Sequence, residues 1–143
     1  MCFIKGTNEE MHIVAKEDIT CYKVIIHNDF GYESMYQHFS YELGRDYGYE
    51  LDGGLLHRFD DVYETLNSGV FHSYITKDEP PVARELDAIR KKRMYGLYES
   101  SGLAITACLV ECVIPKGSVY WKNTGYGEYA SNKIRLVKVI QEV

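Results

Sequence analysis

The sequence predicts an α+β fold: a mainly antiparallel, twisted sheet of about five or six strands packed against one principal helix near Val82–Tyr95. Three observations predict it. Ala104–Ile114 and Lys133–Ile140 are apolar runs, separated by the turn residues Pro115-Lys116-Gly117-Ser118 and the aromatic segment Val119–Ser131. Ile19–His27 alternates as a half-buried strand does. Asp78-Glu79-Pro80-Pro81 then opens a segment whose apolar residues recur at helical spacing.

Taken in order, His12–Ala15 is a short apolar segment that reads as an edge strand, broken by Lys16-Glu17-Asp18. Ile19–His27 puts Tyr22, Val24 and Ile26 on one face and Cys21, Lys23, Ile25 and His27 on the other. Both faces are largely apolar in the middle, which predicts a central strand. Asn28–Gly54 is rich in Tyr, His, Gly and acids, and ends in the turn signal Asp52-Gly53-Gly54. It reads as a ligand-covering loop with a short strand at Tyr36–Tyr41. Leu55–Phe59 reads as a further strand and Asp60–Leu66 as a helical turn. Gly69–Thr76 is a clear strand, with Val70, His72, Tyr74 and Thr76 on one face and Phe71, Ser73 and Ile75 on the other.

In the helix, Val82, Leu86 and Ile89 share the apolar face, and Arg90, Lys91, Lys92 and Arg93 crowd the end where cations favour the helix dipole. Gly96 or Ser100-Ser101-Gly102 closes that segment. Within Ala104–Ile114, Cys108, Val110, Cys112 and Ile114 share one face and Leu109, Glu111 and Val113 the other, again the pattern of a central strand. Ile134–Ile140 is similar. No repeat, low-complexity segment or linker divides the chain, so residues 1–143 read as one domain.

Composition narrows the function classes. At 143 residues, 45% hydrophobic and 26% charged, the chain is long enough to bury a core without staples and far from a disordered composition. Its formal charge of −5 argues against duplex DNA or RNA as a partner, since the phosphate backbone repels most faces of such a molecule. No run approaches the roughly 20 apolar residues of a membrane span, and Met1–Gly6 lacks the pattern of a secretory signal. Cys2, Cys21, Cys108 and Cys112 form no Cys-x-x-Cys pair and read as buried reduced thiols, which places the protein in the cytoplasm. Thirteen tyrosines against five phenylalanines suit both strands and recognition surfaces.

Candidate chemistry is scattered. Glu111 is a carboxylate inside an apolar run; it either pairs with Lys23, Arg135 or Lys138, or takes up a proton. His72 and Tyr74 share one strand face and can line a polar pocket together. The histidines His12, His27, His38, His57 and His72 have no metal-ligand spacing, so no metal and no cofactor are expected. There is no Gly-x-Ser-x-Gly elbow, and Gly125-Tyr126-Gly127 reads as a turn. Arg84, Arg90, Lys91, Lys92 and Arg93 are either a solvated helix surface or a phosphate clamp, with Tyr95 and Tyr98 placed to stack on a base.

Cys21-Tyr22-Lys23-Val24, Gly69–Tyr74, Cys112–Ser118 and Glu128-Tyr129-Ala130-Ser131 together resemble uncharacterised small proteins of gut bacteria and their phages. The resemblance spans most of the chain after Ala15 and implies an accessory protein of a phage or mobile element. A fainter similarity is to the ADP-ribosyltransferase fold, with Lys23, the His72–Tyr74 strand, Ile114–Gly117 and Glu128 at the corresponding places. The chain has no arginine on the first strand, no Ser-Thr-Ser and no Glu-x-Glu, so that similarity implies a nucleotide pocket more than a transferase.

The expectation is therefore a non-catalytic binding module for a small anionic, nucleotide-like ligand or a host protein. Tyr126, Tyr129 and His72 would stack on or hydrogen-bond a base, Lys116, Arg90 or Arg93 would meet a phosphate, and Tyr74 and Glu128 complete the expected ligand-binding residues. A nucleotide- or NAD-directed enzyme using Glu111 or Glu128 with His72 is the alternative, and a purely structural or protein-interaction domain is the third. The sequence leaves homo-oligomerisation open.

Overall fold

The computed structural model describes residues 9–34, 40–48, 70–94 and 105–143. Among them, one antiparallel sheet holds ten strands. These are β1 (Glu9–Val14), β2 (Ile19–Asn28), β3 (Gly31–Ser34), β4 (Ser40–Tyr41), β5 (Asp46–Gly48), β6 (Phe71–Tyr74), β7 (Thr106–Ile114), β8 (Val119–Asn123), β9 (Glu128–Ser131) and β10 (Lys133–Glu142). A single described helix, α1, spans Pro80–Met94. The main path through the sheet runs β1-β8-β9-β6-β2-β7-β10-β5, with β3 on β2 and β4 on β3.

This corrects the expected five or six strands on one principal helix: the fold is sheet-rich, and α1 is one short element on it. The additional strands escaped because each is two to six residues long and carries polar or aromatic residues rather than an apolar run. Val119–Ser131, read as an aromatic loop, is the β8–β9 hairpin. Asn132 closes that hairpin's base, accepting from the Val119 amide at 2.8 Å and donating its own amide to the Val119 carbonyl at 3.0 Å. Asn28–Gly54, read as irregular, supplies β3, β4 and β5. The expected strand at Leu55–Phe59, the turn at Asp60–Leu66 and the close of the helical segment beyond Met94 lie outside the described residues.

The β2–β7 ladder is the centre of the sheet. Nine consecutive pairs run from Ile19↔Ile114 to His27↔Thr106 without a break in register. Its even-numbered β2 face carries Val24 and Ile26, with Ala107 and Leu109 from β7; α1 lies on this face through Val82, Leu86 and Ile89. The other face carries Cys21 and Ile25 with Cys108, Val110, Cys112 and Ile114. Tyr41 covers this second face, edge-on to Tyr47 at 5.3 Å and tilted against Phe71 at 6.3 Å. Several tyrosines thus serve as core rather than as recognition surface.

The second edge of β2 is shared. Tyr22 pairs with Tyr74 of β6, whereas Ile25–Asn28 pair with β3. Where the two partners part, the Lys23 ammonium donates to the His72 carbonyl at 2.6 Å and fills the fork. Burial holds that ammonium below the usual lysine range. On the other flank, the Gly44 amide donates to the Leu136 carbonyl at 2.7 Å and β5 pairs with Lys133–Arg135. The chain from β3 to β5 therefore links both sides of the β2–β7–β10 centre.

β10 is apolar through Ile140 in sequence, but register shifts between Leu136 and Lys138 and between Val139 and Gln141 turn its second half outward. Ile134 and Leu136 are fully buried, whereas Val137 and Ile140 are about two-fifths exposed at 41% and 40%. Even in its first half only the face of Ile134 and Leu136 is buried, since Lys133 is exposed and Arg135 half-buried, so the expected strand apolar on both sides is corrected to one buried on a single face. Truncation of Leu136 to Ala should lower stability by about 2–5 kcal/mol, because it leaves a cavity in a packed core. Ile140→Ala should change it by less than about 0.5 kcal/mol. Urea denaturation of the two variants checks this placement, since equal losses would mean that both side chains are buried.

Candidate functional site

A row of polar residues crosses the sheet on its helix side. The strand registers place Asn123 of β8, Glu128 of β9, Tyr74 of β6, Tyr22 of β2, Glu111 of β7 and Lys138 of β10 side by side in that order. Directly opposite residues of adjacent strands share a face, so the row is a consequence of pairing alone. Asn123, Glu128 and Tyr74 are buried. At the far end, Lys138 Nζ stands 3.9 Å from Glu111 Oε2, so Glu111 takes the paired role considered for it from the sequence.

From α1, Glu85 reaches down to this row and its carboxylate accepts the Tyr74 hydroxyl. Burial raises the pKa of Glu85 above the usual carboxylate range, opposed by the Tyr74 hydrogen bond and by the charge of Lys23. Glu128 is only 5% exposed, and its Oε2 has no hydrogen-bond partner among the described residues. Burial, reinforced by the negative charge of Glu85, pushes its carboxyl up to about 7. Two coupled carboxyls beside a phenol can hold a proton near neutrality, accept hydrogen bonds from a ligand, or face a positive charge.

The turn Thr124–Gly127 precedes Glu128 and packs on the residues leading into α1. The Ile75 amide donates to the Gly127 carbonyl at 2.8 Å, and the Tyr126 amide donates to Asn123 Oδ1 at 3.3 Å. Gly127 has φ of +66°, and a Cβ there would fall 2.2 Å from the Glu79 carboxyl group. Glu79 immediately precedes Pro80 and Pro81, which lack the amide hydrogens a first helical turn leaves unbonded. Glu79 thus stands against the turn that leads into Glu128, while Glu85, in the second turn of α1, acts on Glu128 through its charge.

The residues expected from the sequence are divided by the fold. His72, Tyr74 and Glu128 share the helix-side face, and Tyr126 is 48% exposed in the turn next to Glu128. Tyr129 is on the opposite face, edge-on to Tyr120 at 5.8 Å. Lys116 is in the turn before β8, at the other end of that strand from Tyr126, and its amide donates to Asp18 Oδ1 at 2.8 Å. Arg90 pairs with Asp87 at 2.8 Å on the exposed side of α1. Arg93 belongs to the last turn of α1, and its side chain lies outside the described set. The base-contacting and phosphate-contacting residues are thus not assembled into one site.

Sequence reasoning missed Glu85, Asn123 and Tyr22. Glu85 was legible: Val82, Glu85, Leu86 and Ile89 follow the i, i+3, i+4, i+7 spacing of one helix face. Asn123 and Tyr22 had no local signal, because only strand pairing brings them beside Glu128 and Tyr74. Comparison of the chain with protein-family models, with curated proteins and with solved structures finds no match.

Two outcomes follow from this geometry. The Glu128 carboxyl titrates at about 7 in the folded protein against 4.5 for an unperturbed one. Between those values the folded state holds a proton that the unfolded chain has lost, so this group's contribution to stability falls as pH rises. Glu128→Gln should therefore gain stability over wild type at about pH 8 and not at about pH 5, measured by denaturation at both. Gly127→Ala should cost about 1–3 kcal/mol through its left-handed backbone and the Glu79 contact, read from the shift in thermal midpoint.

Proposed function

We propose that the protein is a binding module holding a small ligand through a positively charged or hydrogen-bond-donating group at Glu85 and Glu128. The Glu128 carboxyl carries this reading. A buried carboxyl with an oxygen that has no hydrogen bond among the described residues, close to the charge of the half-buried Glu85, is costly to maintain. An amine or guanidinium supplies the missing donor and charge. Tyr126, exposed in the turn beside Glu128, marks the solvent side of the site.

The anionic, nucleotide-like ligand expected from sequence is a weaker fit to this end of the molecule, because three acids face it and Lys116 and Arg90 stand elsewhere. The resemblance to small proteins of gut bacteria and their phages supports an accessory binding role. Cys21, Cys108 and Cys112 are free and buried, which supports a reducing cytoplasm. No helix among the described residues is long and apolar enough to cross a membrane.

An enzyme reading draws on the same pair: a carboxyl that titrates near neutrality beside an ionisable neighbour is suited to general acid–base work. Turnover separates the two, since a binder returns its ligand unchanged.

Calorimetry with spermidine and agmatine on one side, and ATP and NAD on the other, tests the proposal. The cations should bind, and Glu128→Gln should weaken them by about tenfold or more, the loss of one charge-assisted contact. Binding of ATP or NAD with no response to the cations would return the site to the anionic reading.

A further inference from the structure

On the face away from α1, at the end of the β2–β7 ladder, three metal-ligating side chains converge that the carboxyl site does not use. His27 of β2 is opposite Thr106 of β7, Cys108 follows two residues later on the same face, and Glu142 of β10 is opposite Cys108. His27 Nδ1 and Glu142 Oε1 are 3.0 Å apart. One donor atom from each of His27, Cys108 and Glu142 lies within 4.8 Å of the other two.

The geometry points to a divalent metal site in which His27 Nδ1, the Cys108 thiolate and the Glu142 carboxylate bind a Zn2+-type cation and leave one position for water. Ligands about 2.0–2.3 Å from a tetrahedral zinc stand roughly 3.4 Å apart, so the His27–Glu142 pair at 3.0 Å opens slightly to admit the metal and Cys108, within 4.8 Å of both, adjusts to meet it. The donor set selects the cation: a thiolate with an imidazole suits zinc and its borderline-soft neighbours, whereas magnesium and calcium prefer oxygen alone. On binding, the Cys108 S–H bond is replaced by S–metal and that proton leaves to solvent, while the proton that His27 Nδ1 shares with Glu142 is given up and the ring keeps its proton on Nε2, so that Nδ1 can bind the metal.

The surroundings are those of a supported site. The His27 ring stacks on Tyr32 with centroids 4.4 Å apart and planes 15° off parallel, which fixes the imidazole. Thr106 Oγ1 donates to Glu142 Oε1 at 2.7 Å, orienting the carboxylate as an outer-shell partner does. Ala107 and Val143 exchange both backbone hydrogen bonds, at 3.1 and 2.8 Å, which pins the strand end that carries Glu142. Cys108 is fully buried, whereas the His27 and Glu142 side chains are 39% and 48% exposed, so the open position faces solvent. All three ligands stand on paired strands rather than on loops.

Cobalt(II) titrated into the reduced full chain, followed by displacement with zinc, tests the site. The expected result is one equivalent bound with a thiolate-to-cobalt charge-transfer band that Cys108→Ser abolishes. His27→Ala and Glu142→Gln should each weaken binding by about tenfold or more without altering the far-ultraviolet circular dichroism. Should Cys108→Ser not fold, the half-exposed His27 and Glu142 positions carry the test on their own. No stoichiometric cobalt band in wild type, a band that survives in folded Cys108→Ser, or unchanged affinity in both other variants would overturn the site.

Discussion

The unbroken register between β2 and β7 is the constraint on which the rest of the molecule depends. Nine consecutive pairs hold Tyr22, Val24 and Ile26 on the helix side and Cys21, Lys23, Ile25 and His27 on the other. Side-chain direction in a strand has a period of two, so a slip of one residue would exchange these sets entirely. The thiols and Lys23 would then meet α1, and the polar row would break at its centre. Both clusters with chemical potential are products of this one ladder: the carboxyl row on one face, and His27, Thr106 and Cys108 on the other.

The carboxyl row also shows how the fold tolerates groups that oppose it. Burying Glu85 and Glu128 raises the pKa of each, which measures the preference of the folded chain for their neutral forms. Two features offset that cost. Tyr74 donates to Glu85, and the strands beneath are held by an apolar core on both faces. Lys23 plays a comparable part at the fork of β2, where its ammonium supplies a donor to the His72 carbonyl that the diverging strands leave behind.

Individual elements, though not the number of strands or the balance of sheet to helix, could be read from the sequence where a segment was long and its period clean. Ile19–His27, Thr106–Ile114 and the Val82, Leu86, Ile89 face of α1 are such cases. The short strands were not legible, because β4 and β5 hold two and three residues and owe their form to neighbours distant in the chain. The second half of β10 misled for the opposite reason: its apolar residues promise burial, and two register shifts withdraw it. For the site, His72, Tyr74 and Glu128 could be placed on one face in principle, but their joining to Glu85 needed the tertiary arrangement. The His27, Cys108 and Glu142 cluster spans 115 positions between its first and last member, and no spacing rule detects a constellation that only three paired strands assemble.

These two clusters differ in a way that assigns them different tasks. In the carboxyl row Glu128 is buried, its Oε2 has no donor among the described residues, and it follows a turn held by Gly127, with Tyr126 exposed beside it. The His27 cluster already has its internal hydrogen bonds, and what it offers is a set of soft and borderline donors on rigid strands with one side open to water. An acidic, donor-poor site selects its ligand by charge; a thiol–imidazole–carboxylate site selects by the softness and geometry of a metal. Because Tyr22 and Cys21 are neighbours on β2 yet face opposite sides, the same backbone carries both sets of side chains without either entering the other's space.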